Sequence, residues 1–158
     1  MTSIVCGVDD SREARVALRI AAGLAVLFDV RLVAAHVVRP PAPAPGIGLT
    51  ARELMDVPAG ALLASGDALL ERILEEEELP DAERRVVLGL PADRLADVAD
   101  EEAAELIVVG SRGRGAFKAA FLGSLSTSLL AVARCPVLVV PPRTTSTLAR
   151  DERRKEYA

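Results

Sequence analysis

Leu106-Ile107-Val108-Val109-Gly110-Ser111-Arg112-Gly113 joins four consecutive aliphatic residues to a turn punctuated by glycine. A run that is apolar at every position suits a strand buried on both faces, the usual state of strands in a parallel sheet covered by helices. Short β-prone runs stand at residues 4–8, 31–38, 84–88 and 136–140. Helical stretches alternate with them at 12–28, 50–78 with Pro58 a candidate break, 92–104 and 123–133. Asp9-Asp10-Ser11 supplies turn and N-cap chemistry for the first helix, and Gly89-Leu90-Pro91 a turn before the third. This alternation predicts an α/β fold: an open parallel five-stranded sheet with right-handed crossovers and helices on both faces.

Composition agrees with that reading. The 158 residues suit one domain, and with 51% hydrophobic but only 3% aromatic residues the core must be built from Val, Leu, Ile and Ala. The domain is expected over residues 1–142, with 143–158 a polar tail read as disordered. Met1-Thr2-Ser3 runs into the first strand with no basic leader, and no apolar run nears the ~20 residues of a membrane span. A cytoplasmic protein is expected. Two cysteines and one histidine at wide spacing predict no metal site. The net charge of −4 argues against nucleic-acid binding. Yet residues 106–150 hold no Asp or Glu, while Arg112, Arg114, Lys118, Arg134, Arg143 and Arg150 all fall there, a local imbalance that suits an anion.

Ligands of open parallel sheets lie at the carboxyl ends of strands, which points to Asp9 and to the segment from Gly110 to Ser126. Glycines let backbone N–H groups turn together toward an anion, and the helix beginning near Gly123 adds unpaired N–H donors and the hydroxyls of Ser124 and Ser126. A Walker A loop needs Lys and then Ser or Thr after its last glycine, but Ala116 and Phe117 follow Gly115. The dinucleotide fingerprint G-x-G-x-x-G after a first strand is absent as well. A structural glycine loop stays open as the alternative for this segment, a helix N-terminal carboxylate for Asp9, and a solubilised loop for Arg112, Arg114 and Lys118. His36 reads as a core histidine without chemistry.

Gly110-x2-Gly113-x9-Gly123-Ser124 has the spacing of the signature of the ATP-binding universal stress proteins, and the chain resembles that family over roughly residues 3–141. The opening Ile4-Val5-Cys6-Gly7-Val8-Asp9-Asp10-Ser11, the strand end His36-Val37-Val38, and Cys135-Pro136-Val137-Leu138-Val139-Val140 extend the likeness. The resemblance implies a Rossmann-like domain binding ATP, with Mg²⁺ a candidate companion. By it, Asp9 approaches the ribose or a phosphate-bound metal and Val37 meets adenine through its backbone. Gly110, Gly113, Gly123, Ser124 and Ser126 hold ribose and phosphates, with Val109, Arg112 and Leu125 beside them. It also implies a homodimer paired through Val137 to Val140, an edge strand that no charge or proline interrupts. The function expected is a stress-response signalling module whose nucleotide state controls loop order and an unidentified protein partner. A slow ATPase or self-phosphorylating protein and an empty dimeric scaffold are the alternatives. With no acid beside the cradle except Asp9 or Asp10 across the cleft, efficient catalysis is not expected.

Overall fold

A computed structural model describes residues 2–40, 58–111 and 123–141. Five strands, β1 (Ser3–Gly7), β2 (Arg31–Val38), β3 (Glu83–Leu88), β4 (Ala104–Gly110) and β5 (Val137–Val140), form one parallel sheet in the order β3-β2-β1-β4-β5. Four helices alternate with them: α1 (Arg12–Phe28), α2 (Ala59–Glu76), α3 (Pro91–Glu101) and α4 (Ser124–Val132). The expected residues 41–57 of the second loop and helix, the glycines of the loop after Ser111, and the tail 143–158 lie outside the described residues.

Strand alternation divides the core in two. Ile4, Cys6, Ala34 and Val108 point to the face covered by α1 and α2, where they meet Leu18, Leu70 and Ile73. Val5, Val33, Ala35, Ile107 and Val109 point to the other, against Leu95, Val98 and Leu129 of α3 and α4. Every one of these is at most 2% exposed, so both faces of the central strands are dry, as the all-aliphatic runs require. Ion pairs tie the outer surface of α1 to α2: Arg15 reaches Asp10 at 3.2 Å and Glu76 at 2.7 Å, Arg72 reaches Asp10 at 3.1 Å, and Arg19 pairs with Glu77. The hydrogen bonds from Arg15 and Arg72 hold the Glu76 carboxyl below its ordinary pKa.

Boundaries follow local chemistry. Ser11 caps α1 by accepting the Ala14 N–H at 3.2 Å. Gly89 stands at φ 141°, which only glycine adopts freely, and Pro91 opens α3 at a position where its missing N–H costs nothing. The third helix stops at Glu101, three residues short of the expected 104. Ala103 takes φ 49°, reversing the chain so that β4 begins at Ala104. Without a glycine to announce it, the reversal leaves no mark in the sequence. An L-residue in that region costs about 1–2 kcal/mol, whereas glycine loses about 0.5–1 kcal/mol of extra chain entropy on folding. Ala103→Gly is therefore expected to raise stability by about 0.5–1 kcal/mol. Urea denaturation at constant m-value reads it, and a loss of stability would show that Ala103 is unstrained.

Candidate functional site

Strand order reverses at β1: the chain moves from β1 outward to β2 and β3, then crosses to β4 on the other side. A crevice opens between the carboxyl ends of β1 and β4. Beyond the end of β1, Val8 is held on both sides by β2. Its N–H donates to Ala35 O at 2.8 Å, and its carbonyl accepts from His36 Nδ1 at 2.8 Å. A carbonyl only accepts, so that bond needs the proton of His36 on Nδ1. The next residue, Asp9, accepts the Ser11 N–H on Oδ1 at 3.0 Å and also the Ser11 hydroxyl, which in turn caps α1. Asp9 is thus locked at the crevice by a turn of its own making.

Across the crevice, Gly110 ends β4 against the first turn of α1. A Cβ there would lie 2.9 Å from the Glu13 carbonyl carbon and 3.1 Å from the Ala14 nitrogen, so this glycine is required by close backbone approach. Ser111 follows, donating its N–H to Val140 O at 2.8 Å and accepting from the Gly123 N–H at 3.0 Å. Gly123 is the N-cap of α4, and no side chain caps that helix among the described residues. The Ser124, Leu125 and Ser126 N–H groups have no carbonyl partner within the helix. Ser126 is buried, with its hydroxyl 3.5 Å from Gly110 O, a weak tie between α4 and β4.

These ends enclose a cavity of about 580 Å³, a size suited to a small organic ligand. It brings together Asp9, Val37, Val109, Gly110, Gly123, Ser124, Leu125 and Ser126. Arg112 and Gly113 lie outside the described residues. Val8, Ala35, Val37, Pro91, Leu95 and Val109 make an apolar wall, and the start of α4 a polar end. Among the lining residues that the sequence reading did not assign to the site are His36, a brace for Val8, Arg39 beyond β2, Pro91 and Leu95 of α3, and Ser111. Only the strand order brings α3 to the site, and no local pattern signals that. Asp9 is the one carboxylate and Arg39 the one Arg or Lys lining the cavity among the described residues. No three His, Cys, Asp or Glu side chains among those residues are grouped to hold a metal ion. The cysteines lie elsewhere. Cys6 is fully buried and its thiol pKa is pushed far up by burial, and burial followed by the nearby Asp100 charge raises that of half-buried Cys135.

A family model described as "Universal stress protein family" matches residues 1–141. A universal stress protein of Mycolicibacterium smegmatis is 38% identical over 144 residues, covering 89% of this chain and 46% of that protein. Another, MJ0531 of Methanocaldococcus jannaschii, is 30% identical over 139 residues, covering 87% of this chain and 80% of its own length. The chain therefore spans about half the length of the first of these relatives. Among solved structures, UspA of Lactobacillus plantarum superimposes with a TM-score of 0.70 at 24% identity, over 88% of this chain and 97% of that one, a likeness of fold. A universal stress protein in complex with cAMP matches at 26% identity and TM-score 0.57, over 88% and 96% of the two chains. One from Archaeoglobus fulgidus in complex with dAMP matches at 26% and 0.51, over 89% and 97%.

Because the atoms that meet a Cβ at Gly110 are the Glu13 carbonyl carbon, the Ala14 nitrogen and the Glu13 Cβ fixed to that backbone, they cannot swing aside. Gly110→Ala is expected to destabilise the protein by about 1–3 kcal/mol through overpacking. Thermal or urea unfolding measures this in the absence of any ligand, and an unchanged stability would show that α1 yields.

Proposed function

Since the chain belongs to the universal stress protein family, we propose that it binds an adenine nucleotide, ATP foremost, in the crevice between the ends of β1 and β4, and that it acts as a nucleotide-dependent signalling module. The observation that carries this reading is the convergence on one cavity of an apolar wall with Val37, a fixed carboxylate at Asp9, and the uncapped start of α4. An adenine ring fits the apolar wall, Asp9 suits a ribose hydroxyl, and the N–H groups at the start of α4, with the positive end of the helix dipole, suit phosphate. The complexes of relatives with cAMP and dAMP share adenine and a phosphate, and lend support to both halves.

Residues fitting such a ligand are present at both ends of the cavity. Any Mg²⁺ would be carried chiefly by the phosphates, with Asp9 the candidate carboxylate, since magnesium commonly keeps its waters and takes one or two protein oxygens. Asp9 already anchors Ser11, a role better suited to positioning than to deprotonating an attacking water. Binding rather than rapid hydrolysis is the activity this arrangement favours. Bound nucleotide would order the loop after Ser111 and so change which protein partner the chain meets.

ATP at a hundred times its Kd adds about 2.7 kcal/mol, a rise in melting temperature of about 5–11 °C for a domain of this size. Gly123 sits at φ −61°, a conformation any residue adopts, so Gly123→Val should fold while crowding the cradle and removing the shift. Thermal melts of both proteins, freed of prebound nucleotide, test this. No shift in the wild type would end the nucleotide reading.

We further propose a homodimer through β5. That strand ends the sheet with β4 its only neighbour among the described residues, and Leu130, Val132 and Leu138 beside it are exposed. Isologous pairing would satisfy the edge and cover these side chains. Val139 packs inward on the α3–α4 face, so a charge there tests the core as well, whereas Leu138 faces outward. Light scattering should give about twice 16.6 kDa for the wild type and a lower mass for Leu138→Lys. A wild-type monomer at micromolar concentration overturns the dimer, and a dimeric Leu138→Lys moves its interface elsewhere.

A further inference from the structure

His36 stands beside Val8 where the pairing of β1 with β2 ends, and the ladder breaks off there one bond early. Along β2 the main-chain groups alternate sides: Ala35 O faces β1, where it accepts the Val8 N–H at 2.8 Å, and Val38 O faces β3, where it accepts the Gly89 N–H at 3.1 Å. The N–H of Val37 therefore faces β1. With Gly7 opposite Ala35, a parallel ladder would carry on with that N–H donating to Val8 O. The bond is not made, and β1 ends at Gly7. Val8 O accepts instead from His36 Nδ1 at 2.8 Å. The ring is held at that post because α2 lies against it: a Cβ added at Gly66 would come within 3.2 Å of His36 Cδ2, on the edge of the ring opposite Nδ1.

Val8 is 4% exposed, so its carbonyl needs a donor from the protein. The Val37 N–H and the His36 ring compete for it, and the histidine takes the place. Val8, His36 and Val37 all line the cavity, so the exchange leaves at its wall a main-chain N–H that no backbone carbonyl of the described residues accepts. We propose that His36 is a positioning residue of the candidate site: by standing in for the Val37 N–H at the Val8 carbonyl, it keeps β1 and β2 parted at the cavity and reserves that N–H for an acceptor on the ligand. The parting of the strands is read without any ligand. That the acceptor is a ring nitrogen of a nucleobase rests on the nucleotide reading above, in which Val37 belongs to the wall that holds the adenine.

Loss of the imidazole donor should let the ladder close. In His36→Phe a ring still fills the space beside Gly66 but cannot donate, and the buried Val8 carbonyl is left to take the Val37 N–H. His36→Asn keeps an N–H where Nδ1 stood. Hydrogen exchange of the Val37 amide, followed by NMR in ligand-free protein, is expected to slow about tenfold or more in His36→Phe and to match the wild type in His36→Asn. Calorimetric titration is expected to show adenosine and ATP both weakened by about fivefold in His36→Phe, the range of one lost hydrogen bond, and restored to within about twofold in His36→Asn. Should His36→Phe not fold, His36→Gln, whose amide lies beyond the position of Nδ1, takes its place with the same expectations. A Val37 amide already protected in the ligand-free wild type, unslowed when the donor is removed, or still slowed in His36→Asn overturns the assignment. So does nucleotide binding by the wild type that His36→Phe matches. Wild-type protein that binds neither adenosine nor ATP overturns the nucleotide reading, while the exchange measurement decides by itself whether His36 parts the strands.

Discussion

A parallel strand cannot be joined to its neighbour by a tight turn, so each connection crosses a face of the sheet, and the right-handed twist of the chain fixes the sense of that crossing. With β1 near the middle, two crossovers carry the chain to β2 and β3 in one direction, and the third must return past β1 to reach β4. The helices of the two halves therefore lie on opposite faces: α1 and α2 on one, α3 and α4 on the other. At the strand where the direction changes no helix closes the carboxyl end. Everything at the candidate site follows from that gap. Asp9 reaches it because it follows β1, Gly110 and Ser111 because they follow β4, and Pro91 and Leu95 because α3 starts beside it.

The polar groups around the gap divide into those that build it and those left over. Val8 is fastened by Ala35 and His36, Asp9 by Ser11, Gly123 by Ser111, and Ser126, more loosely, by Gly110. Each bond joins an element on one side of the crevice to its own support, not to the opposite wall. The crevice is thus framed by two separately braced rims, one carrying the Asp9 carboxylate and the other the start of α4, which no side chain caps among the described residues. A cavity with a carboxylate at one rim and helix N–H donors at the other suits a ligand that donates at one end and accepts at the other.

Much of this was legible before any coordinates. The Asp9-Asp10-Ser11 turn and cap mark the start of α1, whose expected span 12–28 is the one the structure has, and the β-prone run 31–38 marks β2. What escaped was information that local sequence does not hold. Ala103 turns left-handed with no glycine there, which misplaces the end of α3. Gly110 looks like a ligand-facing glycine and is equally demanded by the backbone of Glu13 and Ala14 across the sheet. His36 reads as core filling, and its ring does sit among packed residues, but its Nδ1 proton braces the residue before Asp9. In each case the deciding neighbour is distant in sequence or fixed by a backbone angle, and only the folded chain supplies it.

Cys6 lies at the centre of β1 with no exposed surface, and burial drives its thiol far from ionising. Thiolate, not thiol, reacts with oxidants and alkylating agents, so this sulfur is chemically silent while the sheet is intact. Its modification must wait for β1 to separate from its neighbours on both sides, an event that takes the middle of the sheet apart. The pace at which a small thiol reagent consumes Cys6 is then a clock for whole-domain opening, and oxidative insult is registered by this residue only as loss of structure.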